Sequence, residues 1–147
     1  MNLSELEKIV NETFENKDKV NTNSDKSIAN AINETIELTD QGIIRVAEKK
    51  NGSWEINQWI KKAILLSFKI NKMEILRGPY TSWYDKVPGK SVNWKEEDWK
   101  KAGYRHVPNG VVRKGSFIAR NAVLMPCFVN LGAYVDEGTM IDTWASV

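Results

Sequence analysis

The chain contains few residues of the types that carry nucleophilic or metal-dependent chemistry. His106 is the only histidine and Cys127 the only cysteine among 147 residues. A single cysteine excludes an internal disulfide framework and a zinc site built from several thiolates. A single histidine excludes a zinc site with three histidine ligands, and we predict no metal site. His106 and Cys127 therefore indicate neither a zinc site nor a disulfide framework.

The main structural signal of the sequence is a six-residue repeat over residues 111–147. Aliphatic or aromatic residues recur at every sixth position: Val111, Phe117, Val123, Val129, Val135, Ile141 and Val147. Compact residues follow the first six of these by four positions: Gly115, Asn121, Cys127, Ala133, Thr139 and Ala145. A period of six fits neither an amphipathic helix nor a surface strand. It is typical of a hexapeptide solenoid, a parallel β-helix with about 18 residues in each coil.

Stacking at 18 residues predicts which side chains meet inside the solenoid. Val129 is expected on Val111, Val135 on Phe117 and Ile141 on Val123, which gives two coils, and Val147 opens a third. Asp136 and Asp142 each follow an inward position, so they are expected to point outward from different faces and not to pair. Because about three stacked repeats are needed for stability, we interpret the chain as a fragment of a longer protein.

Residues 1–103 are predicted to form an α+β, mainly helical domain, and residues 104–147 a linker and the first two coils of a truncated β-helix. The expected helices are Leu3 to Asn16 (capped by Asn2 or Ser4), Ser24 to Gly42, Trp59 to Phe68 after Asn57, and Asn93 to Gly103. The expected strands are 43–48 and 53–56, joined through Asn51-Gly52, and 75–76 and 83–84. Tyr104 to Gly110 is the predicted linker. The fold class is an α+β N-terminal domain followed by the start of a left-handed parallel β-helix, the hand being that of known hexapeptide proteins.

Charge and hydropathy exclude several classes of partner. The 21 basic and 19 acidic residues leave a net charge of +2, which indicates neither a nucleic-acid-binding patch nor an acidic tail. The longest apolar run, Ala63 to Leu66, is too short to span a membrane. No secretory signal is visible in the polar N-terminal sequence. We therefore expect a cytoplasmic globular protein that binds neither nucleic acid nor membrane.

Four blocks of sequence resemble tetrahydrodipicolinate N-succinyltransferase, a family of hexapeptide transferases in lysine and diaminopimelate biosynthesis. They are Arg45 to Lys49, Asn57 to Phe68, Tyr84 to Pro88 and Leu131 to Ala145. The resemblance covers essentially the whole chain. It implies a homotrimer of left-handed β-helices that transfers a succinyl group from succinyl-CoA to the amino group of tetrahydrodipicolinate, giving a ring-opened 2-amino-6-oxopimelate product. Succinyl-CoA is a co-substrate, and no permanently bound cofactor is implied.

The same resemblance implies that Arg105 and Asp142 bind the substrate and that Asp142 is also catalytic. A guanidinium grips a carboxylate through two charge-assisted hydrogen bonds, which suits a dicarboxylate acceptor. A carboxylate can orient the reacting ammonium group and accept a proton from it. Of these two roles for Asp142, anchoring is the first expectation and base catalysis the second. The family's coenzyme-binding residues are expected beyond Val147.

Two other interpretations remain open from the sequence. The chain could belong to a different hexapeptide acyltransferase, for example one with an acetyl donor, and an assay of donor preference would decide. It could also be an inactive truncated fragment, since the fragment alone is expected to lack a complete site. His106 precedes the first predicted coil and is expected to be a surface or packed residue. Cys127 is expected to be buried and not a nucleophile.

Overall fold

The computed structural model describes residues 1–147 and contains four α-helices and eleven short strands. The helices are α1 (Leu3–Glu15), α2 (Lys26–Asp40), α3 (Gln58–Ile70) and α4 (Glu96–Ala102). The strands are β1 (Ala47–Lys50), β2 (Ser53–Ile56), β3 (Glu74–Arg77), β4 (Ser82–Asp85), β5 (Arg105–His106), β6 (Val111–Val112), β7 (Phe117–Ile118), β8 (Val123–Leu124), β9 (Phe128–Val129), β10 (Tyr134–Val135) and β11 (Met140–Ile141). An α+β region thus precedes a series of short strands. None of the helices combines the length and the apolar composition that a membrane span requires.

Helices α1, α2 and α3 pack around one hydrophobic core. Its fully buried members include Leu6, Ile32 and Leu66, one from each helix. Helix α1 begins at a capping box, in which Asn2 Oδ1 accepts a hydrogen bond from the Glu5 amide at 2.9 Å and the Glu5 carboxylate accepts one from the Asn2 amide at 3.0 Å. Asn2 is therefore the cap, of the two predicted candidates.

Helix α2 begins later than its predicted cap at Ser24. Its N-cap is Asp25, because the Ser24 hydroxyl is already used to accept a hydrogen bond from the Asn21 amide at 3.0 Å. Helix α4 likewise begins at Glu96 and not at Asn93. The Asp98 carboxylate accepts a hydrogen bond from the Lys95 amide at 2.8 Å, which fixes that start.

Two antiparallel hairpins lie between the helices. Strands β1 and β2 are joined by Asn51 and Gly52, which both have positive φ, 50° and 84°, as the Asn-Gly pair predicts. The first strand begins at Ala47 and not at residue 43 as predicted, because only residues 47–50 have partners in β2. Strands β3 and β4 form the second hairpin, longer than predicted.

The strands after α4 pair in parallel and form three separate small sheets. Strand β6 pairs with β9, β7 pairs with β10, and β8 lies between β5 and β11. Partners such as Tyr134 and Phe117 are 17 positions apart, whereas Arg105 and Val123 are 18 apart. Residues 105–106, predicted as part of a linker, are therefore a strand of the stack. Their neighbours hold them there through amide hydrogen bonds from Arg105 to Ala122 and from Val107 to Leu124, both 2.9 Å.

The inward residues of the first complete coil are not the predicted ones. Val112, Ile118 and Leu124 are buried, whereas Val111 is 44% exposed and Phe117 and Val123 are partly exposed. In the second coil, Val129, Val135 and Ile141 point inward as predicted, and they stack on Val112, Ile118 and Leu124. The predicted stacking on Val111, Phe117 and Val123 is wrong by one residue.

A short corner at Pro126 explains the shift. Backbone positions with positive φ recur every six residues at Gly103, Asn109, Gly115 and Asn121, and again at Gly132, Gly138 and Trp144. The corner between the two series contains Pro126, whose ring excludes positive φ, and only five positions separate Leu124 from Val129. Because side chains alternate between faces along a strand, omitting one residue changes which positions point inward.

The helical core covers one face of the stack. Phe117 of β7 and Tyr134 of β10 pack together with ring centroids 4.7 Å apart, and the Arg45 guanidinium lies 3.4 Å above the Tyr134 ring. Asp40, at the end of α2, accepts hydrogen bonds from the Lys90 ammonium at 2.8 Å and from the Gly115 amide at 2.7 Å. These contacts cover the β7–β10 face and leave the β5–β8–β11 face open to solvent.

Candidate functional site

The candidate site lies on the outward face of the sheet formed by β5, β8 and β11. Leu124 of the central strand is buried, so the residues on either side of it point outward. One outward row contains Arg105, Val123 and Met140, which are in register. The next row includes Asp142, two residues beyond Met140. The two residues selected from sequence are thus brought to the same face, at opposite edges of one three-stranded sheet.

Arg105 presents an unpaired guanidinium to solvent. The side chain is exposed and makes no hydrogen bond or ion pair within the chain. Its backbone is fixed by the strand pairing with Val123, and the following residue, His106, points inward beneath Leu124. A fixed backbone with a free guanidinium is suited to binding a carboxylate through two parallel hydrogen bonds.

Asp142 is also exposed, and its carboxylate is oriented by its own turn. Oδ1 accepts a hydrogen bond from the Thr143 amide at 2.7 Å, and the backbone carbonyl accepts one from the Ala145 amide at 3.1 Å. No cation of the chain pairs with this carboxylate. An oriented, unpaired carboxylate can hold an ammonium group and accept a proton from it.

Asp136 has the same local geometry on another face. Its Oδ1 accepts a hydrogen bond from the Glu137 amide at 2.8 Å. Asp136 follows Val135 of the β7–β10 sheet, whereas Asp142 follows Ile141 of the β5–β8–β11 sheet. The two carboxylates therefore do not pair, as the sequence predicts, and Asp136 provides a structural match for Asp142 outside the candidate site.

The separation of Arg105 and Asp142 leaves room for a small ligand. Two strand spacings across the sheet and two residues along it place their Cα atoms about 12 Å apart. No hydrogen bond or ion pair joins the two side chains, and the Asp142 carboxylate is bonded to the Thr143 amide instead. A molecule with a carboxylate at one end and an amine at the other would satisfy both groups at once.

His106 and Cys127 are packed residues. His106 is half-buried with its ring 5.9 Å from the Trp99 ring, and its Nε2 atom has no hydrogen-bond partner. Burial lowers the pKa of His106, and burial raises the pKa of the Cys127 thiol. Cys127 is 4% exposed, so neither residue is presented to a ligand on the outward face.

Sequence reasoning missed two apolar residues beside Asp142. Met140 is 62% exposed and Trp144 is 82% exposed. The sequence predicts corners at Thr139 and Ala145, but the corner residues with positive φ are Gly138 and Trp144. Gly132 and Gly138 are six positions apart, and Trp144 lies six positions after Gly138. The spacing of the two glycines is therefore the sequence signal that a corner with positive φ falls at Trp144.

The fold and this face define a class of protein in which an α+β domain precedes stacked parallel strands that carry exposed charged residues. Residues 5–70 match the family described as "Tetrahydrodipicolinate N-succinyltransferase N-terminal". The resemblance to this family, based on four blocks of the sequence, is confirmed as a similarity: the family model matches residues 5–70, and relatives that carry the enzyme's name match 92–100% of the chain.

Curated relatives extend the similarity through the parallel strands. A protein of Pelagibacter ubique is 64% identical over 138 residues, which cover 92% of this chain and 50% of the relative. Proteins of Parvibaculum lavamentivorans and Bradyrhizobium diazoefficiens are each 49% identical over 150 residues, which cover all of this chain and 53% of each relative. All three are named 2,3,4,5-tetrahydropyridine-2,6-dicarboxylate N-succinyltransferase. The chain spans about half the length of the curated relatives it matches.

Proposed function

We propose that the protein containing this chain transfers a succinyl group from succinyl-CoA to the amino group derived from tetrahydrodipicolinate, in lysine and diaminopimelate biosynthesis. The observation that carries the proposal is the similarity to the named succinyltransferases across the whole chain, a span that contains the positions of both candidate residues. The unpaired charges of Arg105 and Asp142 on one open face support it. A guanidinium and a carboxylate about 12 Å apart suit an acceptor with both a carboxylate and an amine.

In the proposed reaction, Arg105 binds a carboxylate of the acceptor and Asp142 binds its ammonium group. Asp142, held by the Thr143 amide, orients the nitrogen and accepts a proton as the amine attacks the thioester carbonyl. Water adds across the C=N bond of the cyclic acceptor and opens the ring, which frees the amino group. The new C–N bond then forms and the C–S bond breaks; of the two protons that the ammonium nitrogen loses, one goes to Asp142 and one to the sulfur, so coenzyme A leaves as the thiol. Backbone amides stabilise the oxyanion that develops on the carbonyl oxygen.

We further propose that the parallel strands form a left-handed β-helix and that three copies assemble as a homotrimer. The parallel register at 17 or 18 residues and the corners with positive φ support a solenoid. The proposed domains are residues 1–103 and 104–147, and the proposed location is the cytoplasm. Residues that bind coenzyme A are proposed to lie largely outside this chain.

The test, made on the whole protein that contains this chain, is release of free thiol from succinyl-CoA in the presence of the acceptor. Asp142→Asn keeps the size of the side chain and removes its charge, so we expect a fall of about 100-fold or more in kcat/KM. Arg105→Ala removes the carboxylate contact and is expected to raise KM for the acceptor about tenfold or more.

Asp136→Asn is the matched control, because Asp136 has the same turn geometry on a different sheet. We expect this variant to retain the activity of the parent. Equal losses in Asp136→Asn and Asp142→Asn would refute the assigned role of Asp142. Faster thiol release from acetyl-CoA than from succinyl-CoA would favour the alternative transferase, and no release from either donor would refute the proposed activity.

A further inference from the structure

Trp144 combines two features that nothing within the chain explains. Its φ of 61° lies in the left-handed region, which is unfavourable for a bulky side chain. Its side chain is 82% exposed, so packing within the chain does not offset this strain. Gly132 and Gly138, the corner positions 12 and six residues earlier, have the residue type that this conformation favours. A tryptophan at the third corner is therefore costly for folding.

The strained backbone is fixed by its neighbours. The Trp144 amide donates a hydrogen bond of 2.7 Å to the Pro126 carbonyl, across the corner between the two coils. The indole is consequently attached to a well-defined position and projects from the stack. Strained positions of this kind cluster at binding and catalytic sites, where the surrounding structure maintains them.

The position of Trp144 limits which part of the reactants the indole can contact. Trp144 lies two residues beyond Asp142, within about 7 Å between Cα atoms, and the exposed Met140 lies two residues before Asp142. The acceptor is a small dianion and gains little from an indole. The acyl donor brings a long, largely neutral amide-containing arm, which must approach closely for its thioester to meet an amine held by Asp142.

We propose that Trp144 binds the neutral thioester-bearing arm of the acyl-CoA donor and covers the thioester beside Asp142. This inference rests on the proposed acyl transfer and adds a residue that positions the donor. An aromatic side chain provides a large contact area with little loss of conformational freedom. The strain at residue 144 is thus retained because the binding of the donor requires the indole there.

The variant Trp144→Gly tests the backbone strain and the proposed contact with the donor separately. The variant relieves the left-handed strain, so its Tm is expected to equal or exceed that of the parent. Loss of the indole is expected to weaken the binding of coenzyme A, measured by calorimetry, by about tenfold. In the transfer assay the KM for succinyl-CoA is expected to rise while the KM for the acceptor stays unchanged. Trp144→Phe keeps an aromatic ring and is expected to restore most of the donor affinity.

Asn51→Gly is the control, because Asn51 has a φ of 50° in the β1–β2 hairpin, outside the β5–β8–β11 sheet. It is expected to change neither donor affinity nor activity. The proposal is overturned if Trp144→Gly binds coenzyme A as tightly as the parent, if only the acceptor KM rises, or if the variant changes the oligomeric state. All of these measurements use the whole protein that contains this chain. A parent that binds coenzyme A but releases no thiol would refute the proposed function, and a parent that binds none would overturn both.

Discussion

The Asp40–Lys90 ion pair connects α2 to the stacked strands, and its removal gives the most informative test of how the two parts are held together. Lys90 is 7% exposed and Asp40 is 15% exposed at their side chains, and their charged atoms are 2.8 Å apart. The Lys90 ammonium also donates a hydrogen bond to the Asp40 backbone carbonyl at 2.8 Å. Asp40→Ala would leave a buried ammonium whose remaining contacts are neutral: this carbonyl and the Trp94 ring, whose centroid is 5.9 Å from Lys90 Nζ.

The magnitude follows from these contacts. Removing one partner of a buried ion pair costs about 3–5 kcal/mol, because the remaining charge is uncompensated. The retained carbonyl contact places Asp40→Ala near the lower end, at about 3 kcal/mol. The Gly115 amide also loses its acceptor, which is 2.7 Å away in the parent. For a chain of this length, about 3 kcal/mol corresponds to a decrease in Tm of about 6–12 °C.

Urea unfolding followed by circular dichroism measures the free energy of unfolding directly. The double variant Asp40→Ala/Lys90→Met removes both charges and is expected to recover at least half of the loss, because no unpaired ammonium remains. Lys114→Met is the control, since the Lys114–Glu37 pair is about half exposed and is expected to contribute less than about 1 kcal/mol. A loss below about 1 kcal/mol in Asp40→Ala, or a double variant no more stable than Asp40→Ala, would refute the reasoning.

Two further perturbations test the packing of the stack. Gly132→Val is expected to destabilise the protein by about 2–4 kcal/mol, because φ is 89° and an added Cβ would lie 2.5 Å from Ile64 Cδ1. At Gly138 an added Cβ meets open space, so Gly138→Ala is expected to cost about 1 kcal/mol in the same urea titration. Equal costs for the two variants would contradict this account. Burial lowers the pKa of His106 in the folded protein below its ordinary value of 6.5. As the pH falls, His106 is therefore protonated in the unfolded chain before it is protonated in the folded protein. The free energy of unfolding consequently decreases as the pH falls from 6.5 through the pKa of the folded state. His106→Leu is expected to remove this part of the pH dependence between pH 7 and 5, and an unchanged pH profile would show that His106 does not contribute to it.

The local parts of the fold could be predicted from sequence because their signals are local. The Asn51-Gly52 turn follows from the ease with which these two residues adopt positive φ. The helices follow from apolar residues at helical spacing, although their ends shift by up to three residues. Ser24 is an example, since its hydroxyl is used by the preceding turn and does not cap α2.

Only part of the candidate site could be predicted from local sequence signals. Arg105 and Asp142 were selected from the resemblance to a family, and their roles remain predictions. Their placement on one face depends on pairing between β5, β8 and β11, which are distant in sequence. Trp144 was missed because the compact corner residue was expected at Ala145, one position later.

The sequence by itself determined the helical start, the hairpin turn and the six-residue period of the stacked strands, since each depends on residues close together in the chain. Only the tertiary structure decided which of two neighbouring apolar residues faces inward in the first coil. The corner at Pro126 is one residue shorter than the others, so Leu124 and not Val123 is buried beneath Ile141. A strand has no intrinsic preference for which of two apolar neighbours faces inward. The next coil makes that choice through its register, and it thereby determines which charged side chains meet on the outer face.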